Sequence, residues 1–362
     1  MVKTLNPSSK IFIDKKRISK QDPVYFIAEI GSNFDQDLNR AKELIYMAKE
    51  AGADAAKFQH YRAESLVSDF GFKKIGSSKS HQSSWKKSVY ETYEDASLNQ
   101  DWTAILHETC QDAGISFFTS PYSFALIDLV EQYVPAYKIG SGDITWIQIV
   151  EYIAAKGKPV LLATGASDIT DVSRAVEAIL NISPNLVLMQ CNTNYTAESD
   201  NYQSLNLNVI STYKKMYPDI ITGLSDHMPG HVLVLGAVAL GARVIEKHFT
   251  DSTDRVGPDH PFSMTPSTFR EMVNRSRELQ ASLGNGVKKV EQNEKETVIL
   301  QQRSICAAKP LSKGSQLQQS DLDVLRPCPS DGIRPYEMNE VIGKKLMRNI
   351  DFGEKISWND LV

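Results

Sequence analysis

The 362-residue sequence contains no apolar run near the roughly 20 residues that a membrane-crossing helix needs. Its opening stretch, MVKTLNPSSKIFIDKK, lacks the apolar centre of a signal peptide. Cysteines are scarce: Cys110, Cys191, Cys306 and Cys328 are widely spaced with no CxxC, which reads as free thiols in a reducing cytosol. Neither sign of charge dominates. With 40 Lys+Arg against 44 Asp+Glu, the net charge of −4 makes no electrostatic case for nucleic acid or an anionic membrane as partner. At 41% hydrophobic and 23% charged residues, disordered, collagen-like and disulfide-knot classes are excluded. These absences predict a cytoplasmic protein.

Residues 1–22 are polar except for Ile11-Phe12-Ile13 and Ile18 around Asp14-Lys15-Lys16, which predicts a short hairpin. From Val24 onward, short apolar segments alternate with helical patterns. The strand candidates are 24–30, 54–59, 115–120, 136–141, 159–165, 186–191, 220–225 and 242–249. Most are continuous apolar runs, as parallel strands buried on both faces require. Leu38, Ala41, Leu44, Ile45 and Ala48 follow helical spacing, with Gly52 closing the helix. Eight such units over roughly 250 residues predict a (β/α)₈ TIM barrel, an α/β fold. A doubly wound sheet is the competing architecture, but the first strand runs into Glu29-Ile30-Gly31-Ser32-Asn33 rather than GxGxxG.

The expected organisation is an N-terminal hairpin (1–22), a barrel (23–285), a linker (286–298) and a small β-rich domain (299–362). Within the last, KGSQLQQSDL (313–322) is echoed by FGEKISWNDL (352–361), which suggests two similar corners. The Ser- and Lys-rich connection between Gln59 and Asn99 reads as a lid or binding loop, or as a solvated basic loop.

In a TIM barrel the reactive groups lie at the C-terminal strand ends. Those positions hold Glu29; Lys57 and Gln59; Thr119 and Ser120; Lys138 and Ser141; Thr164; Thr193 and Tyr195; Ser225, Asp226 and His227; and Glu246 and His248. Strand alternation puts Glu246 and His248 on one face and Lys247 on the other. His227 and His248 come from neighbouring strands, and two imidazoles with added oxygens suit an octahedral divalent ion better than a closed zinc site. Lys57 and Lys138, with Ser120, Ser141 and Thr164, would cradle phosphate and carboxylate, unless the lysines extend to solvent. Glu29 is a candidate proton-transfer group or a partner for Lys57.

The segments FIAEIGSN, AAKFQ, AYKIGSGD, TGLSDH, GARVIEKHFT and GPDHPFSM resemble the sialic acid synthase family, phosphoenolpyruvate-dependent nonulosonic acid synthases. The C-terminal segment resembles their antifreeze-like SAF domain. The resemblance implies a TIM barrel with a SAF cap in a domain-swapped homodimer. It implies condensation of phosphoenolpyruvate with an N-acyl amino hexose, giving a nine-carbon acid and phosphate with C–O cleavage. It further implies a divalent metal, usually Mn²⁺ (with Mg²⁺ or Co²⁺ as alternatives), held by His227 and His248 to polarise the aldehyde. Glu29, Lys57, Lys138 and Asp226 are then the catalytic set. Gln59, Ser120, Ser141, Thr164, Thr193, Tyr195, Ser225 and Glu246 line the substrates, and Arg326 reaches the N-acyl group from a partner subunit. Ala163 departs from the family's serine, Thr193 and Thr196 from its asparagine and proline, and Asp143 from a frequent glutamate. Two other readings compete: a Schiff-base keto-acid aldolase using Lys138, and a non-catalytic sugar-binding protein.

Overall fold

The structure, a computed structural model, describes residues 5–75, 82, 85–196 and 198–362. It divides into two compact units, Met1–Gly284 and Asn285–Val362.

The first unit opens with the hairpin β1 (Lys10–Ile13) and β2 (Lys16–Ser19). Eight parallel strands follow: β3 (Tyr25–Glu29), β4 (Ala55–His60), β5 (Ser116–Pro121), β6 (Tyr137–Ile139), β7 (Val160–Ala163), β8 (Leu186–Cys191), β9 (Ile221–Asp226) and β10 (Val244–His248). They pair in sequence order and close through β10 against β3, giving the TIM barrel. Every residue of β3, β7, β8, β9 and β10 is buried, which is why these strands begin as apolar runs rather than alternating, with polar residues gathered toward their C-terminal ends. The helix Leu38–Glu50 shows how the outer layer is specified: Asp37 caps it by accepting from the Asn39 and Arg40 amides, and Ala41, Leu44, Ile45 and Ala48 face the core.

The hairpin crosses the N-terminal face of the barrel. Ile11, Ile13 and Ile18 are buried in the barrel's own core cluster. Asp14 accepts from Ser116, Lys16 pairs with Asp54, and Arg243 Nε donates to the Lys20 carbonyl at 2.9 Å, anchoring the hairpin to three strand starts.

Between Gln59 and Asn99 the described chain is helical rather than an open loop, with helices Ala63–Leu66, Asp69–Ile75 and Val89–Ala96. The reason is local: Ser88 and Glu91 form a reciprocal capping box, and Lys73 pairs with Asp69 one turn away at 2.6 Å.

His60 lies outside the barrel lumen, with Nδ1 2.8 Å from Thr119 Oγ1 and Nε2 2.8 Å from Thr103 Oγ1. Burial lowers its pKa from 6.5 to about 4. Between those values the unfolded chain binds the extra proton, so stability falls as pH falls from 6.5 toward 4. The expected loss from this residue is about 2 kcal/mol between pH 7 and pH 5. Urea unfolding of the parent and of His60→Gln at both pH values measures it: the variant should show the shallower dependence, and equal slopes would refute the assignment.

The second unit contains β11 (Ser304–Ala307) and β12 (Leu322–Leu325), antiparallel, around a core of Ile305, Leu317, Leu346 and Ile356. The sequence echo is structural. Asp321 accepts from the Gln318 amide and Asp360 from the Ser357 amide, both at 2.9 Å, so each half turns the same corner. The helix Lys295–Gln301 begins inside the segment expected to be linker.

Candidate active site

The C-terminal ends of the barrel strands place a buried ionic cluster in the lumen. Glu29, Lys57, Lys138 and Glu246 are each at most 5% exposed. Lys57 pairs with Glu29 and donates to Ser120 Oγ at 3.2 Å; Lys138 donates to Glu246 at 2.6 Å. Glu246 Oε2 lies 4.0 Å from Lys57 Nζ, which joins the two pairs. Neither lysine extends to solvent. Isolated ammonium groups could not be buried this way; two carboxylates compensate two cations. Burial pushes Glu29 up to about 7, against the pull of Lys57. For Glu246 burial acts in the same direction, but Lys138 and Lys57 outweigh it and lower the carboxyl to about 2. Neighbouring carboxyls of such different acidity can divide proton-holding from charge-holding.

Polar groups ring this cluster. Gln59 donates to Glu29 at 2.9 Å and Ser225 to Glu246 at 3.1 Å. Ser141 Oγ accepts from the Gly165 amide at 2.9 Å. A Cβ at Gly165 would stand 2.6 Å from the Thr193 methyl and 3.2 Å from the Cys191 sulfur, so only glycine lets the backbone approach here.

Above the cluster, the His227 and His248 rings lie 5.4 Å apart. His227 Nδ1 is 2.9 Å from the Asn192 carbonyl, which only an N–H at Nδ1 can satisfy; its Nε2 therefore carries the lone pair. His248 Nδ1 is buried without a hydrogen-bond partner. Burial lowers the pKa of both, His227 to about 4 and His248 well below its ordinary value, so both are neutral imidazoles. Two neutral rings with available nitrogens fit a divalent ion whose remaining positions are left to water or substrate. Among the described residues, no group of three or more His, Cys, Asp or Glu is arranged to hold one. Tyr195 packs against His227 at 4.3 Å with its ring tilted, and Phe262 stands edge-on to His248 at 4.9 Å.

Two expected site residues face away from the lumen. Asp226 points away from the lumen, pairing with Lys247 at 2.8 Å and accepting from the Met228 amide, so it positions the strand end that carries His227. Thr164 also faces outward, donating to the Met189 carbonyl and accepting from Tyr213 at 2.9 Å; Ala163 holds the inward position. Arg326 is exposed in the second unit. Sequence reasoning missed Asp259. Its Oδ2 lies 3.8 Å from His248 Nδ1 and accepts from the Ser32 amide at 3.3 Å; burial raises it to about 6. Gly31 leaves room for it, since a Cβ there would stand 2.7 Å from Asp259 Oδ2, and its φ of +53° is left-handed. The signal available was the GPDHPFSM segment.

A closed TIM barrel with two buried lysine–carboxylate pairs and two neutral histidines at its C-terminal strand ends has the layout of an enzyme site. Residues 44–288 match the NeuB family model and residues 302–362 the SAF domain. The chain belongs to the NeuB family of carbon–carbon bond-forming synthases. It is 35% identical to N,N'-diacetyllegionaminic acid synthase of Legionella pneumophila over 345 residues, covering 93% of this chain and 94% of that one. It is 31% identical to N-acetylneuraminate-9-phosphate synthase of Homo sapiens, covering 94% and 93%. The crystal structure of N-acetylneuraminic acid synthetase from Leptospira borgpetersenii superposes with a TM-score of 0.70 at 29% identity, covering 81% of this chain and 96% of that one. No described helix is long and apolar enough to cross a membrane.

Proposed function

We propose that the enzyme condenses phosphoenolpyruvate with an N-acyl amino hexose and water, giving a nonulosonate and phosphate. What supports this reading is two buried lysines, each paired with a carboxylate, at the same strand ends that bear two neutral histidines 5.4 Å apart. Names of relatives support it: they are synthases of legionaminic and neuraminic acids.

Lys57 and Lys138, with Ser120 and Ser141, hold the phosphate and carboxylate of the enol phosphate. His227 and His248 would hold a divalent ion such as Mn²⁺, which when bound supplies Lewis-acid polarisation of the acceptor aldehyde. Glu29, held by Gln59 and Lys57, is placed to move a proton as C3 of the enol attacks the aldehyde carbon. Water then adds at C2, and the C2–O bond breaks to release phosphate. Glu246 keeps Lys138 oriented, and Tyr195 and Asp259 bound the acceptor. We also assign Arg326 to an acceptor site completed by a second copy of the chain. The aldolase reading has weaker support: Lys138 is engaged by Glu246, whereas imine formation begins from a free amine.

Incubation with phosphoenolpyruvate, Mn²⁺ and a panel of N-acyl hexosamines should release phosphate only when all three are present and stop in EDTA. Phosphate release from no member of the panel would overturn the reading. Borohydride trapping of a pyruvate adduct on Lys138 would favour the aldolase.

A further inference from the structure

The segment 249–265 joins β10 to the helix Pro266–Ser282 and carries the one-turn helix His260–Phe262. Two of its side chains lie against His248: Asp259 Oδ2 is 3.8 Å from Nδ1, and the Phe262 ring stands edge-on at 4.9 Å. A loop free to shift could hold neither in place. Among the described residues the Asp259 carboxyl accepts one hydrogen bond, from the Ser32 amide at 3.3 Å, which is too long to fix it alone. The placement must come from its neighbours.

His260 stands between Asp259 and Phe262 in sequence, is fully buried, and engages both ring nitrogens. Nε2 lies 2.9 Å from Asp35 Oδ1 and Nδ1 2.7 Å from Thr250 Oγ1. Burial lowers the pKa of the ring, so at neutral pH it is an uncharged imidazole with one N–H. Asp35 also pairs with Arg40 at 3.3 Å and Arg255 at 3.1 Å, so it can only accept. Nε2 therefore carries the proton, and the Thr250 hydroxyl donates to Nδ1.

The turn that holds His260 is itself over-determined. Asp35 and Gln36, beyond β3, have left-handed φ of +51° and +56°, a conformation that non-glycine residues keep where contacts impose it. Arg40 supplies two such contacts: Nε donates to the Asn33 carbonyl at 2.9 Å, and the guanidinium pairs with Asp251 across the seam. Buried Asn33 completes the link. Its Nδ2 donates to the Phe249 carbonyl at 3.0 Å and to Ser263 Oγ at 2.9 Å, and Ser263 donates to the Asp259 carbonyl at 2.6 Å. The first and last βα connections are thus one hydrogen-bonded body over the β10–β3 junction. The proposed reaction gives none of its members except Asp259 a part.

We infer that His260 is a positioning residue: by bonding the one-turn helix to Asp35 it fixes Asp259 and Phe262 against His248, and so sets the pose of the acceptor. The inference rests on the proposed reaction, in which Asp259 bounds the acceptor. A misplacement of about 1 Å at a reacting centre costs about a hundredfold in rate. Among the described residues, no side-chain hydrogen bond joins this network to the lysine cluster assigned to phosphoenolpyruvate, so the loss should fall on the sugar.

Two variants of the full chain test it. His260→Phe keeps the bulk of the ring and loses both bonds; Asp35→Gly removes the acceptor at an exposed position whose φ glycine tolerates. By hydrogen–deuterium exchange, amides of 251–263 should exchange at least roughly tenfold faster in both, with those of β7 and β8 unchanged. Kinetics use Mn²⁺ and the N-acyl hexosamine that the parent turns over fastest. In both variants kcat/KM for that sugar should fall about a hundredfold, while the KM for phosphoenolpyruvate moves less than about twofold. His260→Gln, whose amide can still donate to Asp35, should recover about tenfold of the loss. Unchanged exchange in 251–263, unchanged kcat/KM for the sugar, a KM for phosphoenolpyruvate that rises as far as the sugar's, or no recovery in His260→Gln would overturn the inference. A parent that turns over no sugar would overturn the proposed reaction, and the exchange of 251–263 would then decide alone whether His260 holds the loop.

Discussion

Replacing His248 with alanine is expected to lower metal-supported phosphate release by at least roughly a thousandfold, the several kcal/mol that a Lewis acid contributes at a reacting carbonyl. The fold should survive. His248 ends β10 and its ring lies among His227, Phe262 and Asp259 rather than in the helix–strand core, so its loss empties a functional space and leaves the packed layers alone. Calorimetric titration with Mn²⁺ separates the two effects: affinity should drop while the unfolding midpoint moves by no more than a few degrees. Full activity of either protein in excess chelator would refute the assignment of the histidine pair.

Glu246→Gln should be costly in a different way. In the parent, Lys57 and Lys138 share Glu29 and Glu246 in a lumen where all four side chains are buried. Removing one carboxylate charge leaves two buried ammonium groups with a single counter-ion, a change expected to cost about 3–5 kcal/mol. Urea unfolding of the full chain measures it. Adding Lys138→Met should restore much of that loss, because the pair then leaves together, while activity stays absent. A single-variant loss below about 1 kcal/mol would show that the lysines are not mutually dependent on Glu246.

The same cluster explains why a neutral lumen can still receive an anion. On the proposed reaction, each lysine is oriented by its carboxylate and offers its remaining N–H groups to the phosphate and carboxylate of the enol phosphate. The raised pKa of Glu29, about 7, adds a route: as a bound anion brings negative charge, Glu29 can take up a proton.

Much of this was legible before any coordinates. β8 matches its sequence expectation at both ends because an apolar run bounded by Asn185 and Asn192 admits no other limits. The two lysines and two histidines were readable from chemistry, since such groups at barrel strand ends have few alternative uses. Asp226 and Thr164 show where composition stops being enough. Alternation along a strand is a matter of one residue: Ser225 and His227 share the lumen face, so Asp226 between them must leave it. Ala163 and Thr164 divide in the same way, and nothing in VLLATG marks which of the two faces inward. Asp259 was hidden for another reason. It sits in a turn beyond the last strand, where no periodicity reports direction, and only the path of 249–264 brings it back to His248.

The hairpin across the barrel floor has a consequence for traffic. With Ile11, Ile13 and Ile18 packed into the core at the strand-start end, approach to the lumen among the described residues is from the C-terminal strand ends. Whatever settles on the lysines must arrive before that end is filled and can depart only after it clears: first in, last out. Such an approach imposes an order of addition and release by its shape alone, with no moving gate required.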